Sequence, residues 1–376
     1  MTYANYAATS PELSPAVAKE LREYVGGTHL NAARNFEGLE AGATALRARR
    51  AVAELFGAAD PLRVIFTSGA TASLNMAIHG LVRRGDHVLA TGVEHNATAR
   101  PLEGLRKSGA IELEWLRCDR EGVLEAQTVR KAIKKNTRLL VMSHASNVLG
   151  TMLPAAECFL VAREHGVWTV LDAAQTGGVV PIAMGDCCDV LAFTGHKGLG
   201  GLAGSGGFAL GKEAAAEMRP WMRGGTGSAS DSLEGPSFLP DKFEPGTQNT
   251  IGALSLAASV EEILREGVEK IRERECALTA RFIAGLRTMK KIALCGTGEA
   301  ERSVALVSVV VRGCDAGEAS RRLFEEHGIV TRSGLHCSPL AHKTAGTYPG
   351  GTVRFSFGRG TTEGDVDAAL EGLAAL

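Results

Sequence analysis

Short apolar runs alternating with helix-like stretches constrain what this chain can fold into more than any other feature. Between about Pro15 and Leu210 the runs Arg63 to Thr67 (RVIFT), His87 to Thr91 (HVLAT), Arg138 to Ser143 (RLLVMS), Trp168 to Leu171 (WTVL), Val190 to Thr194 (VLAFT) and Gly207 to Leu210 (GFAL) are strand-length. Helical stretches such as Ala41 to Phe56, Thr71 to Arg83 and Glu157 to His165 separate them. Strands alternating with helices of this size build an α/β fold, a mostly parallel sheet with helices on both faces. Ligands bind such sheets beyond the carboxyl ends of the strands, so the residues that follow each run are where chemistry is to be sought.

At 376 residues the chain is longer than the roughly 250 to 300 at which a single core stops growing. A large domain over 15–255 and a smaller α+β domain formed by 1–14 and 256–376 are expected. Between Arg223 and Thr250 the chain turns rich in Gly, Ser and Pro, and loops of that length are usually functional or disordered. A long helical pattern from Ile251 to about Met289 follows, then a strand at Val304 to Val311, a helix at Asp315 to His327, strands near Gly328 to Thr331 and Val353 to Phe357, and a last helix from Thr362.

Composition excludes several function classes. A net charge of −1 with interspersed signs offers no polybasic face for nucleic acid or an anionic membrane. The strongest apolar runs fall short of the ~20 residues that span a bilayer. The first residues, MTYANYAATS, carry no basic segment followed by an apolar one, so a cytoplasmic enzyme is expected. The eight cysteines are scattered, apart from the adjacent Cys187 and Cys188, without CxxC spacing. Neither a disulfide framework nor a zinc cluster is indicated.

Three strand ends carry chemistry. Phe193-Thr194-Gly195-His196-Lys197-Gly198 puts a lysine in a glycine-bounded turn, where a desolvated amine can form a Schiff base; alone it reads as a solvated loop lysine. Leu171-Asp172-Ala173-Ala174-Gln175 offers a carboxylate able to hold a proton on a pyridine nitrogen, though a lone Asp there is more often a helix N-cap. Phe66-Thr67-Ser68-Gly69-Ala70-Thr71 runs from strand through glycine into a helix start, whose free N–H groups and dipole favour a phosphate; many α/β connections look the same.

In this order, and with Glu94-His95-Asn96 after HVLAT and Ser146-Asn147-Val148-Leu149-Gly150 after RLLVMS, the chain resembles the class V aminotransferases, pyridoxal phosphate enzymes of fold type I. Within them it is similar to the cysteine desulfurase and selenocysteine lyase branch. The resemblance implies a mostly parallel seven-stranded sheet and pyridoxal 5′-phosphate as cofactor. Lys197 would hold the cofactor and shuttle the substrate Cα proton, Asp172 would pair with the pyridine nitrogen, Gln175 would bond the phenolic oxygen, and His95 would stack on the ring. Ala70, Thr71, Thr194 and His196 would hold the phosphate. Asn147 and Arg354 would bind the substrate carboxylate, the arginine because its planar fork matches a carboxylate.

The resemblance also implies a homodimer with shared active sites, in which Thr226 of Gly224-Gly225-Thr226-Gly227-Ser228 would contact the phosphate in the partner subunit; a disordered surface loop is the plainer reading. The stretch Arg332-Ser333-Gly334-Leu335-His336-Cys337-Ser338-Pro339 reads as a flexible loop. There Cys337 would take sulfur from cofactor-bound L-cysteine as a persulfide, releasing alanine and passing sulfur to an acceptor protein. His336 would help bind substrate and, with Arg332, favour the thiolate; loop histidines such as His336 and His342 are otherwise commonly just solvated.

Two departures bear on substrate. The family's Tyr-Leu-Asp-Asn-Ala-Ala opening is here Tyr3-Ala4-Asn5-Tyr6-Ala7-Ala8, and Ala72 stands where many relatives have glutamate. Selenocysteine lyase on L-selenocysteine, and an aminotransferase or lyase of the class that ignores Cys337, stay open. A non-catalytic scaffold has no physical need for Lys197, Asp172 and Cys337 together. Gly206-Gly207-Phe208-Ala209-Leu210-Gly211-Lys212 fits GxxxxGK, but Glu213 follows where a phosphate loop needs a hydroxyl for magnesium.

Overall fold

The structure, a computed structural model, describes residues 1–27 and 39–376. Its strands are β1 (Thr2–Tyr3), β2 (Val64–Thr67), β3 (Asp86–Thr91), β4 (Ile111–Leu116), β5 (Thr137–Ser143), β6 (Trp168–Asp172), β7 (Val190–Thr194), β8 (Gly206–Leu210), β9 (Ile292–Cys295), β10 (Leu306–Val311), β11 (Ile329–Val330), β12 (Arg332–Gly334) and β13 (Thr352–Ser356). A seven-stranded sheet has the order β2-β8-β7-β6-β5-β3-β4. β8 runs antiparallel to both neighbours and the other pairings are parallel. All strands but β8 therefore end on the same edge, which gathers the sequence motifs there.

Central strands of this sheet are apolar throughout because both faces are covered. One face buries Leu89, Leu140, Phe159, Leu191 and Phe193; the other buries Ile65, Leu74, Ile78, Phe208 and Phe243. Each such side chain contributes about 1.5–3 kcal/mol on leaving water. β4 escapes the sequence pattern because it is an edge strand, and alternating acids in Ile111-Glu112-Leu113-Glu114 leave no apolar run.

A four-stranded sheet, β12-β13-β10-β9, and a separate core of Phe282, Val309, Phe355 and Phe357 make up the carboxyl-terminal part, with β1 pairing β11. The expected division at 255/256 would cut the helix Thr250–Glu266, whose Leu256, Val260 and Ile263 pack into the larger core. The single helical pattern to Met289 is two helices, Thr250–Glu266 and Val268–Leu286, parted by Gly267 at φ 91°. Positive φ there suits glycine and ends the first helix.

The Gly-rich segment before that helix is anchored from its far end. Glu244 accepts from Arg49 Nη1 at 2.8 Å and Nη2 at 2.6 Å, and from the backbone amide of Phe66 at 2.7 Å. Both charged residues are buried, so the bidentate geometry and the extra amide offset their desolvation.

Candidate active site

The helix Ala70–Leu81 begins with Gly69 at φ 140° and has no side-chain cap. Its first-turn N–H groups therefore lack intrahelical partners and open on a cavity of about 300 Å³. A Cβ on Gly69 would meet Thr194 Oγ1 at 3.3 Å. The same cavity is lined by Ala70, Thr71, His95, Asn147, Asp172, Gln175, Thr194, His196 and Lys197, which brings together residues from five strand ends.

Lys197 is half-buried at the cavity, and desolvation lowers its amine to about 8 against the pull of Asp172. Burial pushes the Asp172 carboxyl up. Its Oδ1 accepts the amide of Ala174 at 2.9 Å, and Oδ2 has no partner among the described residues. His95 is the N-cap of the helix Asn96–Lys107, its Nδ1 accepting from the Ala97 amide at 3.0 Å. That bond assigns the proton to Nε2, and burial lowers the ring to about 4, so the imidazole is neutral. Gln175 lines the wall while its Nε2 donates to the Ala7 carbonyl at 3.1 Å.

Glu94 and Ser10, which do not line the cavity, brace the segments around it. Glu94, wholly buried and raised to about 7 by desolvation, accepts from Thr91 Oγ1 at 2.6 Å, the Ser143 amide at 2.8 Å and Ser143 Oγ at 2.8 Å. It clamps the ends of β3 and β5; an acid inside an apolar strand end was the available signal. Ser10 donates from its amide to the His196 carbonyl and from Oγ to the Lys197 carbonyl, both at 2.8 Å, locking the lysine turn.

Arg354 and Arg332 face each other as direct cross-strand partners on β13 and β12. Like charges opposed in this way destabilise a sheet unless an anion answers them, and neither forms an ion pair among the described residues. Arg354 is nearly inaccessible; desolvation, then Arg332, lowers it to about 9. Nη1 donates to the Asn147 carbonyl at 2.9 Å and Nη2 to Asn5 Oδ1 at 3.3 Å. Asn5, where the family has an acid, leaves this charge unneutralised.

The stretch expected to be a flexible loop is strand, turn and helix. β12 leads into a turn closed by the Ser338 amide on the Leu335 carbonyl at 2.8 Å, then into the helix Pro339–Ala345. His336 and Cys337 both adopt positive φ, 48° and 60°, which non-glycine residues hold only when their surroundings impose it. Cys337 is the one exposed cysteine of the eight, with its Sγ 3.4 Å from Arg332 Nη2. It stands outside the cavity wall.

Two expected site residues lie elsewhere. The ring of His336 is 2% exposed, bonds Thr352 Oγ1 at 3.0 Å and packs 5.6 Å from the ring of His342. It does not line the cavity; its ring is held instead by Thr352 and His342. Burial also pushes this imidazole far below its ordinary range, so it carries no charge to favour a thiolate. Thr226 bonds Ser228 Oγ at 2.9 Å and is absent from the cavity wall of its own chain. Glycines of the GxxxxGK stretch serve packing: a Cβ on its first glycine, Gly206, would meet Gly69 Cα at 2.6 Å, and one on the following Gly207 the Phe193 ring at 2.7 Å.

The family model for Aminotransferase class-V matches residues 2–369. A protein named "Probable cysteine desulfurase" from Pseudomonas aeruginosa is 33% identical over 360 residues, 91% of this chain and 86% of that one. A "Cysteine desulfurase" from Yersinia pseudotuberculosis is 30% identical over 390 residues, covering 100% and 93%. The apo structure of a cysteine desulfurase from Thermococcus onnurineus NA1 superposes with a TM-score of 0.92 at 29% identity, covering 100% of this chain and 94% of that one. With its fold, its gathered strand-end motifs and a family match over nearly its full length, the chain belongs to the class-V aminotransferases.

Proposed function

We propose that the protein is a pyridoxal 5′-phosphate-dependent cysteine desulfurase, converting L-cysteine to L-alanine with transfer of sulfur to Cys337. The observation that carries this reading is that the one exposed thiol sits against Arg332, beside a cavity lined by Lys197 and the buried Asp172.

The cavity fits the cofactor: uncapped N–H groups for a phosphate, Asp172 Oδ2 for a pyridinium proton, a neutral His95 ring for stacking, and an amine lowered to about 8. Ala70, Thr71, Thr194 and His196 would hold the phosphate, and Gln175 the phenolic oxygen. When bound, the cofactor supplies an electron sink for cleavage at the substrate Cα and Cβ. Lys197 Nζ takes the Cα proton and returns one. Arg354, with Asn147, holds the carboxylate, and the opposed Arg332 adds to the field that draws an anion there. Cys337 Sγ attacks the substrate sulfur; the S–S bond forms as the Cβ–S bond breaks, and alanine leaves once protons are restored at Cβ and Cα.

Since Thr226 does not reach its own cavity, we take it to serve a second copy in a homodimer. A persulfide on an exposed thiol can be handed to an acceptor protein. Among the described residues no helix is long and apolar enough to cross a membrane; the free thiols suit a reducing compartment, and we place the enzyme in the cytoplasm. Purified holoenzyme is assayed for alanine and sulfide from L-cysteine, with L-selenocysteine in parallel. Cys337→Ala is expected to lose desulfuration of L-cysteine while keeping the cofactor's visible absorbance, and Lys197→Ala to lose both. Full alanine production by Cys337→Ala would overturn the persulfide route.

A further inference from the structure

Ser338 occupies the N-cap of the helix Pro339–Ala345, the position where a serine hydroxyl ordinarily accepts a first-turn N–H. Here it makes no such bond. The hydroxyl instead donates to Asn147 Oδ1 at 2.6 Å, inside a wholly buried setting. Asn147 Nδ2 donates to the His336 carbonyl at 2.7 Å. One amide thus grips the chain on both sides of Cys337, across the two consecutive positive-φ residues.

The same asparagine accepts Arg354 Nη1 on its own carbonyl at 2.9 Å. A continuous line therefore runs from the guanidinium through Asn147 to Ser338. An amide can turn end for end and exchange its oxygen for its NH₂ group. The His336 carbonyl, which can only accept, prevents that, because a turned amide would set oxygen against oxygen there; the Ser338 hydroxyl then anchors the Oδ1 end.

We propose that Ser338 is a positioning residue for sulfur transfer: by anchoring to Asn147 Oδ1 it holds the far side of the Cys337 turn at the place set by Arg354, where the substrate carboxylate binds. The inference rests on the desulfurase reading. Its consequence is that the thiol's aim depends on Ser338 while proton transfer at Cα does not. Losing the hydroxyl leaves Lys197, Asp172 and His95 untouched but lets the turn relax from its strained conformation.

The test compares two reactions of the holoenzyme: desulfuration of L-cysteine, and exchange of the Cα hydrogen of L-alanine with deuterated water, which needs no thiol. Ser338→Ala is expected to lower kcat for L-cysteine about 10-fold or more with KM little changed, the size of effect that an ångström-scale misplacement produces. Alanine exchange should stay within about twofold of wild type, since Asn147 keeps its bonds to the His336 carbonyl and Arg354 without the hydroxyl. Ser338→Thr, which keeps the hydroxyl, should recover much of the lost kcat. A wild-type kcat in Ser338→Ala, or a parallel loss of exchange, would sink the positioning role. Cys337→Ala is run alongside: if it still desulfurates L-cysteine, the parent reading fails and this inference with it, whereas an inactive Cys337→Ala beside a fully active Ser338→Ala defeats this inference alone.

Discussion

The backbone amide of Asn96 donates to the carbonyl of Cys337 at 2.8 Å. This bond ties the turn that carries the exposed thiol to the helix capped by His95, whose imidazole lines the cavity. Asn96 is the first residue of that helix, where proline is tolerated because its N–H has no intrahelical partner. His95 already has the extended backbone that precedes proline well.

Asn96→Pro is therefore expected to remove the tether with little cost to the helix. Thermal unfolding should stay near wild type, within about 1 kcal/mol, while kcat for L-cysteine falls several-fold. A variant that unfolds much earlier, or one with unchanged kcat, would show that the bond does not position the thiol.

Lys197, lowered to about 8 by burial, must be neutral to attack an aldehyde. Uptake of pyridoxal phosphate by apo-protein should accelerate as pH rises toward 8 and level off above it, slowing about tenfold per unit below. Stopped-flow absorbance measures this; a rate still climbing between pH 9 and 10 would mean an amine of ordinary basicity.

Gly69→Ala places a methyl where φ is 140° and Thr194 Oγ1 is 3.3 Å away. Strain of about 1–3 kcal/mol, together with crowding of the uncapped helix start, should weaken cofactor affinity by at least about tenfold. Equilibrium dialysis of the cofactor against wild type and variant checks it; equal affinities would remove the phosphate from this helix.

Glu275 is 3% exposed and lines a second cavity of about 330 Å³, which shares Gln175 and Lys197 with the first. Burial raises its carboxyl to about 8. Between about pH 4.5 and 8 the folded protein keeps a proton that the unfolded chain has lost, so stability falls as pH rises through that window, by about 1.4 kcal/mol per unit at the limit. Glu275→Gln should raise the unfolding midpoint more at pH 8 than at pH 5. An equal gain at both would show that the carboxyl titrates normally.

Much of the site was legible because its chemistry sits where apolar runs stop. A sheet buried on both faces makes each strand a visible run, and the fold sends ligands to the ends of those runs, which exposes Thr194 to Lys197, Asp172 to Gln175 and Gly69 to Thr71 to inspection. β4 was hidden because an edge strand needs no continuous apolar run, and Gly267 was read through because a single glycine in a helical pattern is often tolerated.

The sequence by itself determined which residue types stand at the strand ends, and with them the family and its cofactor chemistry. Tertiary structure decided how distant segments meet. Only the pairing of β12 with β13 opposes Arg332 to Arg354; only the packing of the small core turns His336 away from the cavity and leaves Cys337 exposed. Only the meeting of Asn147 with Ser338, 191 residues apart, shows why a helix-capping serine leaves its helix uncapped. Periodicity records local burial, whereas these relationships depend on which partners the folded chain supplies across that distance.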